Sequence, residues 1–182
     1  VIENGGDLPS FLPNNMQNNI KKLVSKASQS IGVKNGIIKG DIVVSNDKPY
    51  IIEVATRLSG GYFCSHEIPI NTGVDFLSNA IKISLGESIN ESDLSIKKNV
   101  HVSQRYLFPK PGKTIKKIRG INDLKKMNFV KFFDIRVQEN SIIPETTSHP
   151  SRAGLVIVTG KSREEAILNA ECAVKTIEFE YI

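Results

Sequence analysis

Apolar residues recur along this chain at two periods. Met16, Ile20, Leu23, Val24, Ala27 and Ile31 fall at three- and four-residue spacings, which predicts a helix with one apolar face. Asn14 and Asn15 stand before it as candidate caps, and Gly32 is its stop. Gly36 to Val44 reads as a strand, Ser45 to Pro49 as a turn and Tyr50 to Ala55 as a second strand, close enough to pair as a hairpin. Residues 57–73 carry few periodic apolar positions and read as an irregular loop of the kind that forms sites. Val74 to Leu85 repeats the helical pattern between Gly73 and Gly86.

The later residues alternate between the two patterns. Val100 to Phe108 reads as a strand, Pro109 to Lys113 as a turn, Thr114 to Ile118 as a short strand and Ile121 to Met127 as a short helix. Val130 to Val137 and Gly154 to Thr159 read as strands. Ser162 to Phe179 carries the clearest helix signal, with Ser162 as cap and Glu165 completing a capping box. Ala166, Ala170, Ala173, Val174 and Ile177 give it a small-residue packing face. At the other end, residues 5–13 (G-G-D-L-P-S-F-L-P) are turn-rich and extended. The polar stretch Glu87 to Lys98 divides the chain into expected regions 1–87 and 99–182. Strands in hairpin-like pairs with helices between the groups predict an α+β fold of antiparallel or mixed sheets flanked by helices.

Composition changes this picture little. The chain has 182 residues, 40% hydrophobic and 24% charged, enough for one ordinary domain or two small ones with a core. No apolar run is long enough to cross a bilayer, so a membrane partner is not expected. The start, V-I-E-N-G-G-D, has neither the basic end nor the apolar stretch of a signal peptide, and its lack of Met suggests a fragment or a processed form. Cys64 and Cys172 fit no metal or disulfide framework, which points to a reducing cytoplasm. Net charge matters more. It is +5, and much of it lies in Lys110 to Lys126 (K-P-G-K-T-I-K-K-I-R-G-I-N-D-L-K-K). No aromatic residue interleaves these lysines, so a solvated face is the preferred reading over nucleic acid. The alternative is a non-catalytic basic α+β binding module contacting RNA or protein.

The candidate chemistry lies in the expected hairpin. Pairing its strands brings Asp41 near Glu53, and two neighbouring carboxylates suit a hard divalent cation carried by a nucleotide's phosphates. Alternation places Asp41 and Val43 on one face and Ile42 and Val44 on the other. Lys39 shares the Asp41 side and reads as a solvated lysine. Arg57 follows with a fixed fork of donors, and Ser59-Gly60-Gly61 with backbone donors that a ligand can approach closely. His66 and Glu67, next in the loop, are candidates to shape an acceptor pocket. Cys64 has no basic neighbour except His66 and reads as inert.

These signals, in this order, resemble the ATP-grasp ligases, which join a carboxylate to an amine, thiol or related nucleophile through an acyl-phosphate. The resemblance covers most of the chain and matches the C-terminal half of a whole enzyme. In that family a helix ending in a G-x-x-x-G-like step leads into a strand bearing the first metal-binding acid; here this is S-I-G-V-K-N-G-I-I-K-G-D, ending at Asp41. The second acid usually stands in E-x-N-x-R; here E-V-A-T-R keeps Glu53 and Arg57 and puts Ala55 where Asn often adds a metal ligand. Some amino-acid-ligase-like and carbamoyl-phosphate-synthase-like members also lack that Asn. Further on, V-H-V-S-Q-R-Y-L-F-P-K-P-G-K-T resembles the strand and P-x-P-G turn of biotin-carboxylase-like members, with Arg105 at the place of a substrate-end arginine. The tail, R-A-G-L-V-I-V-T-G-K-S-R-E-E-A-I-L-N-A, resembles their closing strand and helix.

The resemblance implies the C-terminal part of an ATP-grasp fold, from an ADP-forming ligase that uses ATP and Mg²⁺, with Mn²⁺ as a substitute. Asp41 and Glu53 would hold the metal, and Arg57 would neutralise the transferring phosphoryl group. Arg105 would act at the substrate end, and Ser59, Gly60, Gly61 and His66 would position the acceptor. The implied partners are ATP, a small carboxylate, an amine-type acceptor and the N-terminal half that carries the ATP-contacting lysines. A homo-oligomer is left open. Without that half the isolated chain is expected to be inactive.

Overall fold

The computed structural model describes residues 2–182. In chain order the elements are β1 (Gly5–Leu8), α1 (Asn14–Ser30), β2 (Lys39–Ser45), β3 (Lys48–Ala55), α2 (Ile68–Thr72), α3 (Phe76–Ser84), β4 (His101–Tyr106), β5 (Ile115–Arg119), α4 (Ile121–Lys126), β6 (Val130–Ile135), β7 (Gly154–Gly160), α5 (Arg163–Thr176) and β8 (Glu178–Tyr181). They divide into two compact units. One holds the residues up to Pro9 with Val100–Ile182, and the other holds Ser10–Asn99.

The sheet unit is built on four antiparallel strands in the order β1-β4-β7-β6. Leu155, Val156, Ile157 and Val158 of β7 are fully buried, because a central strand covered on both faces needs apolar residues on both. Helix α5 packs on this sheet through Ala166, Ala170 and Ala173, as its small-residue face predicts. The approach is close: a Cβ added at Gly160 would lie 2.3 Å from the Ala166 nitrogen. Ser162 caps α5, accepting from Glu165 N at 3.1 Å. The Glu165 carboxylate accepts from Lys161 N (2.7 Å) where the capping box expected Ser162 N.

Two strands depart from the expected pattern. The last helix ends at Thr176, three residues before Phe179, and Glu178–Tyr181 pairs with β5 as β8. Ile177 turns the backbone extended (φ −84°, ψ 112°). The extended residues 5–13 yield β1, in which Gly5 pairs with Arg105 and Leu8 with Val102. Residues 5–8 therefore belong with the sheet unit and not with the residues that directly follow them. A Cβ at Gly5 would meet the Gln104 carbonyl oxygen at 2.1 Å, so this edge admits only glycine there.

The hairpin unit consists of β2 and β3, with α1 against β3 and α2 and α3 following. Pro13 precedes α1, and its carbonyl accepts from Gln17 N at 3.0 Å. Asn14 and Asn15, expected as caps, lie inside the first turn. Gly32 (φ +81°) does follow the helix end. Residues 57–73 are more ordered than their pattern suggests. They hold a π-helical turn over Phe63–Glu67 and then α2, with Pro69 in its first turn. Helix α3 is capped by Asp75, which accepts from Ser78 N at 3.1 Å. Two hydrogen bonds from Ser78, side chain then backbone, hold the Asp75 carboxyl below the ordinary aspartate range.

Candidate functional site

The β2–β3 hairpin turns through Asn46 and Asp47, both left-handed (φ 48° and 56°). A two-residue loop with both φ values positive matches the right-handed twist of the strands and fixes their register. From the turn that register runs Val43 opposite Tyr50 and Ile42 opposite Ile51, and then it slips. Asp41 stands opposite Glu53, with Ile52 as the extra residue of a bulge. Without the bulge Asp41 would face Ile52, and Glu53 would stand across from Gly40. With it, the two carboxylates share the exposed face, and directly opposite residues carry their Cβ atoms about 4.5–5.5 Å apart. Ile52 is 70% exposed, as an unpaired bulge residue on a solvent face should be.

Each acid has a basic neighbour. Lys39, expected to be solvated, places its Nζ 2.5 Å from Asp41 Oδ2. Arg57 Nη2 lies 3.8 Å from Glu53 Oε1, and its Nη1 donates to the Leu58 carbonyl at 3.2 Å. Two acids and two bases make the exposed cluster formally neutral, and ion pairs this exposed are weak and exchangeable. The donor set fits a hard divalent cation, since two carboxylates face each other across one ladder position. Among the described residues no cluster of three or more His, Cys, Asp or Glu is placed to hold a metal. The remaining ligands would therefore be water or phosphate oxygens. Ala55 contributes no side-chain oxygen.

Beyond β3, Thr56, Arg57 and Leu58 line a groove of about 820 Å³, together with residues 32–37 and Ala80, Ile81, Ser84 and Leu85. Arg57 thus joins the acid pair to the groove. The other expected binding residues stand elsewhere. Ser59, Gly60 and Gly61 are not among the lining residues of this groove, and neither is His66. Gly61 (φ 64°) and Tyr62 (φ 66°) turn the chain into the π-helix, where the Tyr62 carbonyl accepts from both His66 N (2.9 Å) and Glu67 N (3.2 Å). The His66 ring meets the Tyr62 ring edge-on at 5.1 Å, and its Nδ1 lies 2.9 Å from Ser65 Oγ. Cys64 is buried, and burial pushes its thiol up against the opposing backbone hydrogen bond at Ser59. That makes it a poor nucleophile, as expected.

Arg105 belongs to the sheet unit. Its Nη1 donates to Asp7 Oδ1 (2.9 Å), Ser103 Oγ (3.0 Å) and the Gln104 carbonyl (2.8 Å). Asp7 Oδ2 also takes Arg163 Nη2 at 3.3 Å, so one carboxylate ties β1 to β4 and α5. Sequence reading singled out neither Asp7 nor Arg163, whose partners lie about a hundred residues away or more. The basic stretch Lys110–Lys126 is partly answered within the same unit. Strand β5 pairs with the acidic β8, Arg119 bonds Glu180, and Arg119, Lys116 and Lys117 keep the Glu180 carboxyl below its ordinary range.

A family model described as L-amino acid ligase C-terminal domain 2 matches residues 105–181. Biotin carboxylase 2 of Bacillus subtilis (strain 168) is 27% identical over 191 residues, covering 100% of this chain and 40% of its own length. The structure of L-amino acid ligase from Bacillus licheniformis superposes with a TM-score of 0.84 at 22% identity, covering 99% of this chain and 46% of that one. The biotin carboxylase domain dimer of Hydrogenobacter thermophilus 2-oxoglutarate carboxylase, in complex with MgADP, ADP and bicarbonate, does so with a TM-score of 0.73 at 20% identity, covering 98% and 39%. This chain thus spans less than half the length of each of these proteins. The likeness is to ATP-grasp ligases, and the fold is the α+β C-terminal part of theirs.

Proposed function

We propose that this chain is the metal-binding edge of an ADP-forming ATP-grasp ligase, which joins a small carboxylate to an amine or related nucleophile through an acyl-phosphate. The observation that carries this reading is the bulge at Ile52, which sets Asp41 and Glu53 opposite each other on an exposed strand face. The fold and the MgADP-bound relative support it.

In this reading Asp41 and Glu53 hold Mg²⁺, which would spread the charge of the nucleotide's phosphates. Mn²⁺ would substitute. Arg57 has an exposed guanidinium beside Glu53 and holds phosphoryl oxygens in its planar fork as charge develops. The Ser59-Gly60-Gly61 turn and His66 position the acceptor, and Arg105 serves the substrate end. No side chain attacks substrate, so the chain's contribution is positioning and electrostatics. The second wall of the nucleotide site, with its lysines, comes from polypeptide beyond this chain, and the isolated chain is inactive. The two free cysteines suit a cytoplasmic setting, and no helix among the described residues is long and apolar enough to cross a membrane.

The test uses a protein that carries this chain together with the N-terminal ATP-grasp half. Asp41→Asn and Glu53→Gln should each lower ADP formation by about a hundredfold or more. Full turnover in both variants would remove the metal assignment.

A further inference from the structure

The charge nearest to Asp41 is Lys39, two residues before it on the same side of β2. Three features make this more than a chance surface pair. Nζ donates to Oδ2, and the lysine side chain is only 21% exposed against 50% for Asp41. The ladder sets Ala55 directly across from Lys39, and alanine offers the ammonium no polar partner at that position. The bulge puts Glu53 opposite Asp41, so the ammonium bonds one member of a facing pair of carboxylates.

We propose that Lys39 is a built-in competitor for the metal site. Its ammonium occupies Asp41 when no metal is bound and must leave when a divalent cation arrives. This rests on the metal role proposed for Asp41 and Glu53 and deepens it. Two neighbouring carboxylates repel each other, and the chain sets Lys39 against one in a direct hydrogen bond and Arg57 near the other at 3.8 Å. A divalent cation bonding both acids exchanges with the ammonium at Asp41. The freed Lys39 head then lies beside the metal, within a side chain's reach of any phosphate the metal carries. Metal affinity is thereby set partly by a residue that never touches the metal.

The experiment is a titration of this chain with Mn²⁺ alone, following the free-ion signal by electron paramagnetic resonance. Lys39→Met should tighten Mn²⁺ binding about fivefold, the worth of releasing one exposed ion pair. Lys39→Gln, which keeps length and polarity, should do the same, and Lys39→Arg, which keeps the charge, should bind like the parent. Asp41→Asn should lose the binding. If Asp41→Asn loses binding while the Met and Gln variants bind no tighter than the parent, the competitor role is overturned and the metal site stands. If Asp41→Asn binds Mn²⁺ like the parent, the metal reading and this inference fall together. Unchanged circular dichroism spectra exclude unfolding as the source of any loss.

Discussion

The two units of this chain differ in where they put apolar side chains. In the sheet unit the Leu155–Val158 run, Leu124 and the alanines of α5 are buried, and the exposed large apolar residues, Phe108, Ile142, Leu168 and Ile182, are scattered along the chain. The hairpin unit buries Met16, Cys64, Val74 and Ala80, and leaves Ile31, Val43, Tyr50, Ile52, Ile81 and Leu85 exposed. The first is a finished core. The second is one face of a core, and it is also the unit that carries Asp41, Glu53 and Arg57. The residues proposed for the site thus lie in the unit with the more exposed apolar surface, whereas the sheet unit holds the larger buried core.

The comparison is broken most directly in the sheet. Ile157→Ala removes a fully buried side chain from the central strand and should cost about 3 kcal/mol, read as lost hydrogen-exchange protection across β7. A cost below about 1 kcal/mol would mean that this core is looser than its burial implies. A middle-sized effect belongs to the hairpin unit. Asp75→Ala removes the cap of α3 and should cost about 1 kcal/mol, measured by amide exchange in that helix. The sign with pH follows from the depressed carboxyl. Its contribution is complete above the unfolded-state value and is lost as pH falls through the lower folded-state value. Parent and variant should therefore converge in acid and separate towards neutrality. The smallest effect is expected at Ile52→Thr. A 70% exposed bulge residue should change stability by less than about 0.5 kcal/mol in a urea titration, and a larger loss would show that the hairpin face is covered in solution.

Much of this arrangement was legible in local pattern. Alternation in Lys39–Ser45 and Lys48–Ala55 fixed which face Asp41 takes, and the short turn fixed the hairpin. The alanine spacing of α5 and the cap at Ser162 were equally local. What escaped the sequence depended on distance or on backbone irregularity. Strand β1 is four residues long and exists because β4, about a hundred residues later, supplies its partner. Strand β8 continues the apolar spacing of α5 through Ile177 and Phe179, so only pairing with β5 distinguishes it from helix. The bulge at Ile52 leaves no mark in composition, yet it decides whether Glu53 faces Asp41 or Gly40. Alternation puts Lys39 on the Asp41 side of its strand, but its bond to Asp41 is visible only in the structure. The ATP-grasp likeness lies in the order of the motifs, which no single residue carries.

The pairing of Leu8 with Val102 has a mechanical consequence. The chain leaves the sheet unit and returns to it at neighbouring points of one ladder, so residues 9–101 form a loop clasped by β1 and β4. Tension applied between Glu3 and Ile182 loads the bonds of Glu3 to His149 and Arg152 and the Gly5–Arg105 end of the clasp, which opens from that end like a zipper. Residues 9–101 are stretched only once that clasp and the bonds of Arg163 to Asp7 and Pro9 have opened.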